Sequence, residues 1–86
     1  MPEICRFYGI IIAMFFDDHN PPHFHARYGG NNAVIDINNL NVLEGKIPPR
    51  AMNMVIEWAK SHQDELLKDW ELAKNRQNPE KIEPLK

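Results

Sequence analysis

The sequence predicts an α+β domain: an N-terminal antiparallel sheet of about four strands, then one long or broken C-terminal helix packed on one of its faces. Three observations lead there. The first half is a series of short apolar or alternating runs separated by glycine, asparagine and proline, the pattern of strands and turns. After Pro48-Pro49 the apolar spacing becomes helical. The chain has 86 residues, enough for one domain and too few for two.

The elements follow in order. Residues 6–16 (RFYGIIIAMFF) are apolar on both faces and read as one central strand. Residues 17–22 break it, since Asn-Pro and Pro-Pro favour turns or extended loops. Residues 23–28 alternate cleanly. Phe24, Ala26 and Tyr28 point one way, and His23, His25 and Arg27 the other. Gly29-Gly30-Asn31-Asn32 reads as a hairpin turn. Residues 33–37 (AVIDI) form a third strand with Asp36 opposite Ile35 and Ile37. After a second turn, residues 42–47 (VLEGKI) form a fourth, carrying Glu44 and Lys46 on one face.

Proline at the first turn suits a helix start. Ala51, Val55, Trp58, Ala59, Leu66, Trp70 and Ala73 then trace an apolar stripe to about Asn75. One straight helix of that length would be roughly 40 Å long, against roughly 30 Å for a domain of this size. The helix therefore either breaks or overhangs onto a second protomer. Ser61-His62-Gln63-Asp64 fits a capping pattern and marks the place for a break. Residues 1–77 form the single domain, and residues 78–86, charged and with two prolines, form a flexible tail.

Composition narrows the function. The mix, 43% hydrophobic and 26% charged, is that of an ordinary globular chain. A net charge of −2 argues against a broad basic surface for nucleic acid, though not against a small one. A single cysteine excludes an internal disulfide framework and a multi-cysteine zinc site. With no leader pattern and no apolar run long enough to cross a bilayer, a cytoplasmic location is expected.

Three of the four histidines fall within seven residues, in DDHNPPHFHARYGG (residues 17–30). Residues two apart in a strand share a face at roughly 6.5 Å, so His23 and His25 can reach one divalent metal such as zinc, with His19 and Asp17 as further ligands (Asp36 is an alternative). A second reading is a metal-free acid–base face. There His23 and His25 move protons near neutrality and Arg27 holds a phosphate, a minimal set for RNA cleavage. The third reading is a surface strand whose histidines pair with Asp17, Asp18 or Asp36. His62, Trp58, Trp70, Met52, Met54 and Cys5 read as packing residues.

RFYGIIIAMFFDDHNPPHFHARYGG, AVIDI, LEGKIPPRA, ELLKDWELA and KIEPL together resemble a bacterial family known as domain of unknown function 4160, across nearly the whole chain. The resemblance implies a short cytoplasmic protein whose gene often neighbours that of a second small protein, of the family numbered 2442. That arrangement is similar to toxin–antitoxin pairs. It implies a small cognate protein partner, beside which a homodimer stays open, and it assigns no chemistry to any residue.

Overall fold

The computed structural model describes residues 2–86. Five strands, β1 (Glu3–Phe7), β2 (Ile10–Ala13), β3 (His23–Tyr28), β4 (Asn31–Asp36) and β5 (Val42–Gly45), precede two helices, α1 (Pro49–Lys60) and α2 (Gln63–Lys74). The sheet is an antiparallel meander in the order β1-β2-β3-β4-β5. The α+β architecture stands, but the strands number five.

The extra strand comes from residues 6–16, which do not form one strand. Phe7 pairs with Ile10, and the two residues between them, Tyr8 and Gly9, both take positive φ (49° and 80°). Such a two-residue turn matches the twist of the strands it joins. The unbroken hydrophobicity hid it, because both arms of the hairpin are rich in buried residues: Ile4, Cys5 and Phe7 on one, Ile10, Ile12 and Ala13 on the other.

The helix breaks near the anticipated place, with different chemistry. Ser61 ends α1, and His62 occupies the N-cap of α2 without a side-chain cap bond. His62 instead sets its ring 5.4 Å from that of Trp58 and turns Nδ1 to Glu65. Gln63 reaches across to donate to the Ile37 and Asn38 carbonyls. Asp64 and Glu65 in the first turn of α2 favour the positive end of its dipole. The longest dimension of the molecule is 33 Å, so a straight helix spanning both segments would have overhung it.

Both helices lie on the face that carries Phe7, Phe24 and Ile35, with Trp58 at the centre: its ring is 5.5 Å from Phe7 and 6.1 Å from Phe24. Burying such rings contributes several kcal/mol, at roughly 25 cal/mol per Å². The register puts the next row, Ala13, His25, Val34 and Glu44, on the opposite face. β4 and β5 slip register between Val34 and Ile35, leaving Leu43 as the extra residue on β5, and the neighbouring Gly45 takes φ 71°. A Cβ at Gly45 would collide with the Asn32 carbonyl oxygen, so glycine fixes where Glu44 stands.

Residues 78–86, expected as a free tail, are laid against the domain. Ile82 is buried and its N–H donates to Ile4 O at 2.9 Å. Trp58 Nε1 donates to Glu83 O at 2.7 Å, and Glu80 N donates to Asp69 Oδ1 at 2.9 Å. The apolar residues Ile82 and Leu85 hold down a segment whose charges suggested solvent. Among the described residues, no helix is long and apolar enough to cross a membrane.

Candidate functional site

The loop between β2 and β3 folds back over one end of the open sheet face. Asp17, with φ 54°, fixes it to the helices. The Asp17 N–H donates to Ala73 O at 3.0 Å, a carbonyl at the end of α2 that also accepts from the Arg76 N–H. Arg76 Nη2 donates to Asp17 Oδ2, also at 3.0 Å. Asp17 is thereby committed to the helix, and Asp18 turns inward. The Asn20–Pro21 peptide is cis, and the chain doubles back there into β3.

Three side chains converge. His23 Nε2 lies 2.8 Å from Asp18 Oδ2, and His25 Nε2 lies 3.9 Å from the same oxygen. The candidate ligand atoms of Asp18, His23 and His25 all fall within 4.8 Å of one another. His23 is 5% exposed, its ring 5.0 Å from Trp70. Phe15 meets the His25 ring edge-on at 4.5 Å. Buried His25 Nε2 has no hydrogen-bond partner.

The protonation pattern is informative. His23 Nδ1 lies 2.7 Å from Pro21 O. A carbonyl only accepts, so Nδ1 carries the proton and donates. Nε2 then faces a carboxylate oxygen, which calls for either a second proton or a metal ion between them. Burial works to raise the Asp18 carboxyl, but hydrogen bonds from the His19 backbone and from His23, with the charges of both imidazoles, outweigh it and hold the group below its ordinary value. Burial, then the charge of His23, push His25 below its ordinary value against the pull of Asp18 and Glu44. Asp18 is thus anionic and His25 has a free lone pair, the forms in which these groups bind a metal.

The site opens into a cleft of about 520 Å³ lined by Phe15, Phe16, Val34, Leu43 and Glu44 beside the acid and imidazole groups, a volume within the range of small-molecule sites. Of the residues singled out from sequence, His23 and His25 come together. His19 stands at the rim, 89% exposed, its Nδ1 3.0 Å from Asp18 Oδ1. Asp17 serves α2. Arg27 shares the open face through the alternation of β3 but does not line the cleft. Asp36 Oδ1 accepts from the Asn38 and Asn39 N–H groups.

Sequence reasoning considered Asp18 only as a pairing partner. The doubled aspartate before the prolines was the available signal. Which of the two turns inward depends on Ala73, 56 positions beyond Asp17, and local pattern does not carry that. Glu44 was placed correctly on one face of its strand, yet its position beside His25 needed the register.

A family model described as Domain of unknown function (DUF4160) matches residues 9–71, most of the chain and all of the site. No curated protein and no solved structure matches.

Proposed function

This chain belongs to the family described as Domain of unknown function (DUF4160), and we propose that it is a metal-binding protein holding a zinc-like divalent cation between Asp18, His23 and His25. One observation carries the reading. His23 gives its Nδ1 proton to a backbone carbonyl and aims Nε2 at Asp18, while His25 aims a second, unpartnered nitrogen at the same carboxylate. Donating the far ring N–H to a carbonyl is how a metal-binding histidine is oriented. Donor atoms about 2.1 Å from a tetrahedral zinc stand about 3.4 Å apart, between the 2.8 Å and 3.9 Å found. Three protein donors leave a coordination position open to the cleft, as catalytic rather than purely structural zinc sites do.

The test is metal content by elemental mass spectrometry on untagged protein, with a His23→Ala/His25→Ala double variant alongside. Near-stoichiometric metal that disappears in the variant supports the site. No metal in the parent, and no binding in a zinc titration, refutes it.

The metal-free RNA-cleaving reading is carried less far. None of the residues lining the cleft is lysine or arginine, so nothing there would hold a phosphate, whereas Asp18 and Glu44 would repel one. A second reading, action through a small cognate protein as in toxin–antitoxin-like pairs, is favoured by one feature. Edge strand β5 exposes Val42 and Leu43, at 45% and 47%, and a bare apolar edge invites strand pairing. Sedimentation analysis of the protein alone and with its candidate partner tests that reading, and a homodimer would appear in the same experiment.

A further inference from the structure

We infer that the cleft hydrolyses an uncharged carbonyl compound, an ester or amide with an apolar acyl group, with Glu44 as the general base beside the metal. This rests on the metal reading above and adds to it the reaction and the class of substrate.

Glu44 is placed by the sheet. His25 pairs with Val34, and Val34 with Glu44, so the three form one row on the open face. Two strand spacings separate the His25 and Glu44 Cα atoms by roughly 9.6 Å. The small side chain between them leaves both free to lean over Val34, and Glu44 lines the same cleft as the three donors. It forms no ion pair among the described residues. A carboxylate in that position can reach a water held at the open coordination position.

The lining selects the substrate. Phe15, Phe16, Val34 and Leu43 offer an apolar wall, with Phe15 and Phe16 each about two-fifths exposed. The lining offers no lysine or arginine to hold an anion beside the metal, and Glu44 would repel one, which favours neutral substrates. Hydrolysis needs only water and the substrate. A cation held by Asp18, His23 and His25 would supply an acidified water and a Lewis acid for the carbonyl. Glu44 takes a proton from that water as its oxygen bonds to the carbonyl carbon. The carbon–oxygen or carbon–nitrogen bond then breaks, and the leaving alcohol or amine departs with the proton that Glu44 returns. The products are the acid and the alcohol or amine, and Glu44 is again a carboxylate.

The experiment uses the full chain loaded with one equivalent of zinc and assayed with p-nitrophenyl butyrate and bis-p-nitrophenyl phosphate. Zinc affinity is measured separately against a chromophoric chelator. The expected result is butyrate hydrolysis well above that of a His25→Ala sample given equal zinc, and a loss of about 100-fold or more in Glu44→Gln with zinc affinity unchanged within about threefold. Parent activity no greater than that of the His25→Ala sample overturns the proposal, as does a fully active Glu44→Gln protein. Preference for the phosphodiester overturns the substrate class. Absence of zinc binding in the chelator titration removes the metal reading itself, and is distinguishable because it is read without substrate.

Discussion

His23 Nε2 stands 2.8 Å from Asp18 Oδ2 while His23 Nδ1 stands 2.7 Å from Pro21 O, so one imidazole ties the β2–β3 loop to the sheet at two points. The contact is mostly buried, the two side chains being 6% and 17% exposed. Removing the charge from one partner leaves the other facing a poorer match. Asp18→Asn is expected to lower stability by about 1–3 kcal/mol without metal. It is also expected to lose most of the stabilisation from zinc, about 2.7 kcal/mol for the parent at a free concentration 100 times the dissociation constant. Urea unfolding with and without zinc, in both proteins, measures each effect.

His25 behaves differently because its buried nitrogen has no hydrogen bond to lose. Its ring contributes packing, chiefly the edge-on contact with Phe15. In EDTA, His25→Ala is therefore expected to cost only about 1–1.5 kcal/mol. His23→Ala, which loses two hydrogen bonds and the Trp70 contact, should cost about 3 kcal/mol. Both should abolish zinc binding. Equal losses of stability in EDTA would mean that His25 is a structural residue like His23.

Much of this fold is written locally. The alternation in residues 23–28 set the faces of β3, and the histidines do share the open face. Pro48-Pro49 marked the change from sheet to helix, and the size of the domain left a break or an overhang, of which the break at His62 is found. What could not be read locally depended on partners distant in the chain. The Tyr8-Gly9 turn lay inside a run that is apolar from Phe7 to Phe16 but for the turn itself. The choice of Asp18 over Asp17 depends on the end of α2. The C-terminal residues looked solvated because their charges outnumber the two apolar side chains, Ile82 and Leu85, that dock them.

That docking gives a direct test. Ile82 is 5% exposed, and its backbone bond to Ile4 covers the edge of β1. Ile82→Ala should destabilise the domain by about 2–3 kcal/mol, and Trp58→Phe by about 1–2 kcal/mol through the lost Nε1 bond to Glu83. A free tail would leave the Ile82→Ala unfolding midpoint at the parental value.

Asp69 makes stability depend on pH in the less common direction for an acid. It is 1% exposed. One oxygen accepts from Glu80 N and the other is buried without a partner. Burial pushes its carboxyl up to about 6, with the charges of Glu80 and Glu65 adding to the rise and the Glu80 backbone bond and Lys68 opposing it. A folded value above the unfolded one means that the folded state holds the proton more tightly. The favourable contribution is therefore complete below about pH 4 and is lost as the pH rises through about 6. Two pH units correspond to roughly 3 kcal/mol. Asp69→Asn cannot titrate, and whatever constant cost its amide brings does not change with pH. The stability of the parent relative to Asp69→Asn should fall by roughly 3 kcal/mol between pH 4 and pH 8, with most of the change between pH 4 and 6. Parallel stability curves for the two proteins, measured by denaturant unfolding across that range, would show that Asp69 titrates alike in the folded and unfolded chains.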